Sequence, residues 1–380
     1  MHILFLAGRD SKNPLAGGGD IQAWEWARYM AQRGAQVTYV CSGYPGLPKH
    51  EVMEDVRVLR AGSGLMLTCR AIGHYLRHRK SFDLVYEDVI GGSRLPFLSA
   101  LYARKPIIVA WHQVNRELFY DNYPAPLAFV LSNVEKMLAW LYRHTLVWAP
   151  SEAVKEQLHR ELGLPLDSIH VIPASIPDEW FAATQQATSR PPTVICISNL
   201  RRYKAIHTLI EAFPLVQKEV PEARLIIVGR PVEEDYEAEL RSLASGLGIA
   251  ETTEFHIGIS EEEKSALLQR SRVLALPSRR EGFGIVVLEA NACGVPVVAS
   301  SGVPEGAVRH EHNGLRYPFG DTNALARSIS RLLKDDTLHT RLSRNSLAFA
   351  REFSWSRVGA QFADLVKLAV DRRKAGRSRA

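Results

Sequence analysis

The chain has 380 residues, of which 46% are hydrophobic and 23% are charged. These proportions exclude a disordered chain, and the length suits two domains of ordinary size. The net charge of +6 permits attraction to nucleic acid, anionic lipid or a phosphorylated substrate without choosing among them. No apolar run reaches the roughly 20 residues that span a bilayer, and the first residues show no cleavable leader. We therefore expect a cytoplasmic protein, either free or held on the inner face of a membrane.

The four cysteines are scattered and form no Cys-x-x-Cys pattern; they are Cys41, Cys69, Cys196 and Cys293. This spacing predicts buried thiols in a reducing compartment, with neither a disulfide framework nor a zinc site.

Apolar, β-branched runs alternate with helix-like patterns along most of the chain, which predicts parallel sheets covered by helices. The predicted strands of a first series are residues 2–7, 36–41, 56–61, 83–88, 106–112 and 145–151, and those of a second are 193–198, 224–229, 253–258, 272–278, 296–300 and 314–318. The pattern lapses between the two series, and we interpret residues 177–192 as a linker. The sequence thus predicts an α/β protein with two doubly wound domains, residues 1–176 and 193–354. Ligands of such sheets bind at the carboxyl ends of the strands.

Three glycines, Gly17, Gly18 and Gly19, follow the first predicted strand and precede Asp20. Glycine lets a backbone approach a ligand closely and adopt positive φ, although a flexible surface loop capped by Asp20 is the alternative. The dinucleotide fingerprint Gly-x-Gly-x-x-Gly is absent, which disfavours a dinucleotide oxidoreductase.

His112 ends a predicted strand of the first domain, where a side chain reaches the ligand-binding edge of a sheet. We take it as a candidate site residue. A structural histidine with its hydrogen bonds satisfied is the alternative for a single His in an apolar run.

Three cations, Arg201, Arg202 and Lys204, follow the first predicted strand of the second domain. Placed at the edge of the sheet, they would neutralise charge on a phosphorylated ligand. A solvated loop is the alternative.

The segment EGFGIVVLEA, residues 281–290, follows a buried strand and leads into an apolar helix near Gly284. A helix N-terminus favours a bound phosphate. The helix rises about 7.5 Å from Gly284 to Glu289, about the reach from a diphosphate to the ribose of the same nucleotide. This pattern suits a nucleotide-sugar, with Glu281 facing the sugar and Glu289 accepting hydrogen bonds from ribose. The alternative is an ordinary strand, turn and helix with two solvated glutamates.

The longer run LPSRREGFGIVVLEANACGVPVVASS, residues 276–301, resembles the signature of the family 4 retaining glycosyltransferases. The resemblance implies the GT-B architecture, in which two Rossmann-like domains face a central cleft. It also implies that a terminal helix, here within residues 355–380 ahead of a basic tail, crosses back to the first domain. The match is not complete, because relatives commonly have Asn-Gly where residues 171–177 read VIPASIP.

The resemblance also implies roles for single residues. Gly18 and Gly19 would face the donor diphosphate and the acceptor, and His112 would contact the donor sugar near its reacting carbon. Lys204 matches the family's lysine, but Ser198-Asn199-Leu200 replaces the usual Gly-Arg-Leu, so the second cation is Arg201 or Arg202. The implied catalytic residues are His112, Arg201, Lys204 and Glu281. The implied donor-binding residues are Gly18, Gly19, Arg201, Arg202, Lys204, Glu281, Gly282, Phe283, Gly284, Ile285 and Glu289.

The function predicted on this basis is the transfer of a hexose or hexose derivative from a UDP- or GDP-sugar to a hydroxyl of a saccharide or lipid-linked acceptor, with retained configuration. Because no Asp-x-Asp pair occurs, we expect no metal and no cofactor, with cations and helix N-termini in their place. With retention, an oxygen of the leaving group takes the acceptor's proton, so no side-chain base is needed. A nucleotide-sugar epimerase of the same architecture is the alternative function.

Basic residues also cluster at 70–80 and 372–380. Aromatic residues are not interleaved with them as in single-strand binders, so we expect no nucleic-acid partner. The helix at 70–80, with nearby Leu65, Leu67, Ile72, Tyr75 and Leu76, and the aromatic helix around 136–144 would suit an anionic membrane surface. Solvated helix faces over a core are the alternative.

Overall fold

The computed structural model describes residues 1–89, 96–181, 190–233 and 235–377. The chain forms two compact units, one of Met1–Ala174 together with the segment from Trp355 onward, the other of Ser175–Ser354. Of the segment interpreted as a linker, residues 182–189 lie outside the described residues. Immediately before them, Asp178–Phe181 form a short 3-10 helix of the second unit. In the basic tail, residues 378–380 also lie outside.

The first unit contains a sheet whose strands come from apolar runs such as HILFL and QVTYVC. In chain order the described strands are β1 (His2–Leu6), β2 (Gln36–Cys41), β3 (His50–Met53), β4 (Val56–Arg60), β5 (Leu84–Asp88), β6 (Ile107–Ala110), β7 (Leu146–Ala149) and β8 (Ile169–Val171). Their order across the sheet is β3-β4-β2-β1-β5-β6-β7-β8, and all pairs are parallel except β3 with β4. The sequence predicted neither β3 nor β8. The β3 segment, HEVM, is short and half polar.

Helices connect the strands of the first unit: α1 (Gly18–Gln32), α2 (Gly64–His78), α3 (Ser99–Tyr102), α4 (Arg116–Asn122), α5 (Ala125–Tyr142) and α6 (Glu152–Leu162). The start of α6 is fixed by Ser151, whose side chain accepts a hydrogen bond from the Val154 N–H, as expected of an N-cap.

The second unit contains a fully parallel sheet. Its described strands are β9 (Thr193–Ile197), β10 (Arg224–Gly229), β11 (Thr253–Ile257), β12 (Val273–Leu276), β13 (Val297–Ser300) and β14 (Gly314–Tyr317), in the order β11-β10-β9-β12-β13-β14. The described helices are α7 (Ile206–Glu219), α8 (Tyr236–Gly246), α9 (Glu261–Arg270), α10 (Ile285–Ala292), α11 (Thr322–Lys334) and α12 (Asp336–Arg351). The predicted α/β class and the predicted strands of both series are confirmed.

The last helix, α13 (Trp355–Arg377), belongs to the first unit. Its Phe362 ring stacks on Trp26 of α1 with centroids 4.5 Å apart, and Trp355 meets the same indole edge-on at 5.2 Å. Trp26 is fully buried as a result.

Each sheet has a point where the chain reverses its direction of strand addition. In the first unit this point lies between β1 and β5, and in the second between β9 and β12. Crevices at the carboxyl ends of such strand pairs are where open α/β sheets bind ligands. Of the candidate site residues, Gly18 and Gly19 follow β1, Lys204 follows β9 and Glu281 follows β12, whereas His112 follows β6.

All four cysteines are free, and Cys41, Cys196 and Cys293 are buried as predicted. The prediction was wrong for Cys69, which is exposed because it lies on the outer face of α2. Among the described residues, no helix is long and apolar enough to cross a membrane.

Candidate active site

The second unit brings Lys204 and Glu281 together. Lys204 ends a 3-10 turn, Arg202–Lys204, that follows β9, and Glu281 lies in the loop after β12. Lys204 Nζ is 2.6 Å from Glu281 Oε1, and the Ser278 hydroxyl donates to the same oxygen at 2.8 Å. Because β9 and β12 flank the reversal point of the sheet, this pair lies where a ligand is expected.

The loops that carry this pair are tied to each other through their backbones. The Arg279 N–H donates to the Tyr203 carbonyl at 2.8 Å, and the Glu281 N–H donates to the Gly302 carbonyl at 3.0 Å. Gly302 is required here, since a Cβ at this position would lie 2.1 Å from the Arg279 carbonyl oxygen. The pair is thus held on a rigid frame of three loops, after β9, β12 and β13.

The pKa of Lys204 reflects two opposing effects. Burial disfavours the ammonium and lowers its pKa, but the neighbouring Glu281 carboxylate outweighs burial, so the pKa of Lys204 rises above its ordinary value. Lys204 is therefore a permanent cation at neutral pH. It supplies positive charge at the site and does not act as a proton donor.

The structure distinguishes the two arginines that the sequence left open. Arg202 is engaged with α8: its guanidinium donates to both carboxylate oxygens of Glu239, at 2.7 and 2.5 Å. Arg201 has no side-chain partner within the described part of the chain. Its positive charge is close enough to Lys204 to lower the pKa of that lysine. Arg201 is therefore the better candidate for the second cation.

Helix α10 begins at Ile285, directly after Gly284, in agreement with the sequence. Gly284 adopts φ +91°, a conformation that favours glycine, and its carbonyl accepts from the Val287 N–H at 2.9 Å. The first N–H groups of such a helix have no partner within it and are available to a phosphate. The Phe283 ring is buried against Phe353 with centroids 5.5 Å apart. Phe283 can therefore contact a ligand only through its backbone.

Glu289 lies one turn into α10 and is paired with Lys264 of α9. Lys264 Nζ is 2.9 Å from Glu289 Oε1 and 2.5 Å from Glu261 Oε2, and it lies 5.6 Å from the centre of the Trp180 ring. Burial raises the pKa of the Glu289 carboxyl, and Lys264 opposes this rise. The sequence analysis missed Lys264. Its motif SEEEK signals a helix start through the capping box of Ser260 and Glu263, but gives no sign of a contact 25 residues away.

The first unit brings His112 and Asp88 close to the predicted glycine segment. The structure places Gly18 and Gly19 in the first turn of α1 and not in a loop. His112 follows β6 and Asp88 ends β5, and His112 Nε2 lies 3.4 Å from Asp88 Oδ2. A Cβ on Gly19 would lie 3.1 Å from the His112 ring, so glycine permits this close approach. Asp20, in the first turn of α1, accepts a hydrogen bond from the Gly17 N–H at 2.9 Å. The sequence analysis missed Asp88, whose signal was its place at the end of the strand beside that of His112.

The two carboxylates favour a protonated His112. Burial lowers the pKa of the imidazole, but Asp88 and then Asp20 outweigh burial, so the pKa of His112 rises above its ordinary value. The Asp20 carboxyl is itself buried, which raises its pKa. The remaining oxygens of both acids, Asp20 Oδ1 and Asp88 Oδ1, are buried without a hydrogen-bond partner among the described residues. This cluster therefore offers polar atoms with unused hydrogen-bonding capacity.

Two family models match the chain, and together they match nearly all of both units. The model for Glycosyltransferase Family 4 matches residues 16–180, and the model for Glycosyl transferases group 1 matches residues 178–348. The chain belongs to the family 4 glycosyltransferases. The resemblance drawn from residues 276–301 is confirmed, and the chain is a glycosyltransferase.

Relatives are similar to the chain at moderate identity, over half of its length or more. A D-inositol 3-phosphate glycosyltransferase of Xylanimonas cellulosilytica is 27% identical over 95% of this chain and 94% of its own. A GDP-mannose-dependent alpha-(1-6)-phosphatidylinositol monomannoside mannosyltransferase of Mycolicibacterium smegmatis is 33% identical over 56% of this chain and 59% of its own.

Solved structures show the same fold. A sucrose-phosphate synthase of Thermosynechococcus elongatus matches with a TM-score of 0.79 and 22% identity, over 97% of this chain and 98% of its own. The Anabaena protein HepE, solved in complex with UDP-glucose, matches with a TM-score of 0.77 and 20% identity, over 97% and 99% of the two chains. The fold is GT-B, with one Rossmann-like sheet in each unit, as predicted.

Proposed function

We propose that this glycosyltransferase moves a hexose from a UDP- or GDP-sugar to a hydroxyl of a saccharide or lipid-linked acceptor, with retention and without a metal ion. The observation that carries the proposal is the convergence of Lys204, Glu281 and the start of α10 at the reversal point of the second sheet. This is where a nucleoside diphosphate would find positive charge and free N–H groups together.

The roles of the residues follow from their chemistry. Lys204, Arg201 and the N–H groups of Gly284 and Ile285 would stabilise the charge that grows on the departing diphosphate. Glu281, already hydrogen-bonded by Ser278, would hold the sugar and stabilise positive charge at its anomeric carbon. Glu289 would accept hydrogen bonds from the ribose while Lys264 holds its carboxylate in place.

In the proposed reaction, cations take the role of a metal ion. Arg201 and Lys204, which follow β9, would supply positive charge at the diphosphate. The role of His112 at the donor sugar, and those of Gly18 and Gly19 at the diphosphate, stay predictions from the resemblance.

The names of the relatives indicate which substrates to test first. Relatives act on D-inositol 3-phosphate, or use GDP-mannose with a phosphatidylinositol monomannoside acceptor. We propose acceptors of this general class, hydroxyls of a phosphorylated polyol or of a sugar attached to one.

The experiment combines purified protein with UDP-glucose, UDP-N-acetylglucosamine, GDP-mannose or ADP-glucose, with inositol phosphates or mannosides as acceptors, in EDTA. The expected result is release of UDP or GDP that depends on the acceptor, with a product whose anomeric proton shows the donor's configuration by NMR. An inverted product would contradict retention, and loss of activity in EDTA would contradict metal independence. Interconversion of the donor sugar without transfer would instead establish the epimerase.

A further inference from the structure

Helix α5 presents a large apolar face to solvent. Six of its apolar side chains are between 38% and 62% exposed: Leu127, Phe129, Val130, Val134, Met137 and Trp140. Helical geometry places these six residues, which we call the α5 face, on one half of the cylinder. The opposite half contains Ala128, Leu138, Ala139 and Tyr142, which are buried in the first unit. A continuous exposed patch of this kind marks an interaction surface.

The charges on this helix are arranged for an anionic partner. Between residues 125 and 144 the sole acid is Glu135, which is buried and accepts hydrogen bonds from Asn115. Lys136 is exposed at the edge of the α5 face. Arg143, on the same edge, lies 4.7 Å from the Trp140 ring centre in a cation–π contact. The exposed charge on α5 is therefore entirely positive.

A second copy of this chain fits the α5 face poorly. A two-fold dimer through this face would bring Lys136 and Arg143 of both copies to one interface, with no exposed acid on either α5 to balance them. Anionic lipid, in contrast, offers apolar chains for the centre of the face and negative headgroups for its basic edge. Exposed Trp beside a basic residue is typical of helices at a membrane surface.

We propose that α5 is a membrane-docking helix that lies in the surface of an anionic bilayer. Its 18 residues give it a length of about 27 Å along that surface. Side chains of the α5 face enter the boundary between headgroups and acyl chains, while Lys136 and Arg143 pair with anionic headgroups. The other basic helix, α2, is less suited: Leu67 and Tyr75 are buried, and its exposed large apolar side chains lie near its two ends, Leu65 and Met66 at one and Leu76 at the other.

The experiment measures flotation of the full chain with vesicles of phosphatidylcholine alone or of phosphatidylcholine with 30% phosphatidylglycerol. The wild type is expected to bind the anionic vesicles and to be released by raised salt. The variant Val130→Asp/Met137→Asp changes exposed positions, and its partition onto vesicles is expected to fall about tenfold or more. The variant Leu65→Asp/Leu76→Asp makes the same change on α2 and is expected to bind like the wild type.

Three results would overturn the proposal. The first is equal binding by the wild type and the α5 variant, and the second is absence of wild-type binding to anionic vesicles. The third is a wild-type dimer in sedimentation that the α5 variant dissociates, which would make a second copy the partner. Thermal unfolding of both variants confirms that they are folded. Because the assay contains no donor or acceptor, its outcome is independent of the proposed transferase reaction.

Discussion

Lys204 Nζ and Glu281 Oε1 lie 2.6 Å apart although 77 residues separate them in the chain. The pair forms because β9 and β12 are neighbours in the sheet and their loops are joined through the Tyr203 carbonyl. Both side chains are nearly buried, at 14% and 11% exposed, so each charge depends on the other or on a ligand. The pair is preformed before any donor arrives.

Lys204→Ala is expected to lower turnover about a hundredfold or more, because a cation that stabilises the departing diphosphate is lost. Steady-state kcat for sugar transfer measures the effect. Lys334→Ala, which removes a lysine paired with Glu219 on the surface at 2.7 Å, is the control and should leave kcat unchanged. A near-normal rate for Lys204→Ala would remove Lys204 from the mechanism.

Arg201→Ala is expected to weaken donor binding by about 1.5 to 3 kcal/mol, the size of a hydrogen bond to a charged group. Arg202→Ala should change donor binding little, because that guanidinium is occupied by Glu239. Its ion pair lies in solvent and contributes little to folding stability. Calorimetric titration of both variants with the donor decides between them. A larger loss for Arg202→Ala would reverse the assignment.

Glu289→Ala is expected to weaken binding of the nucleoside diphosphate by about 1 to 3 kcal/mol, because hydrogen bonds to the ribose are lost. The 2′,3′-dideoxy nucleotide is the control, since it lacks the hydroxyls that Glu289 would accept from. The wild type and the variant should therefore bind this analogue equally in calorimetry. An equal loss for both nucleotides would show that Glu289 acts only through Lys264, its partner at 2.9 Å.

The stability that His112 contributes is expected to depend on pH. Asp88 raises the pKa of the folded imidazole above the unfolded value of about 6.5. The contribution is therefore complete below the unfolded pKa and is lost as pH rises through the folded pKa. The difference in unfolding free energy between wild type and His112→Gln should be larger at pH 5.5 than at pH 9. In an Asp88→Asn background this pH dependence should largely vanish. Denaturant unfolding measures both, and a difference that grows with pH would refute the ion pair.

The sequence predicted the features that depend on local pattern. Alternating apolar and helical segments predicted both sheets, and the glycines with the apolar run after Glu281 predicted the start of α10. Features that depend on distant strands could not be predicted. No local signal places Lys264 against Glu289, or Asp88 against His112, because each contact requires knowing which elements are neighbours. The difference between Arg201 and Arg202 likewise depends on where Glu239 of α8 lies.

The sequence also could not predict which apolar side chains of α5 are exposed. The run around residues 136–144 suggested either a membrane contact or the cover of a core, because an apolar helix gives the same pattern for both. The structure shows which half of the helix is buried, and with it which apolar side chains are left in solvent. It also shows that Glu135, the one acid of α5, lies on the buried half, where the Asn115 N–H donates to its carboxylate.

Calorimetric titration of the purified wild type with UDP-glucose, GDP-mannose and ADP-glucose in EDTA tests whether the second unit binds a nucleotide-sugar. At least the UDP- or the GDP-sugar is expected to bind without metal, and Arg201→Ala and Glu289→Ala are each expected to weaken this binding. Failure of all three sugars to bind, or a strict requirement for a divalent cation, would contradict the proposed donor site.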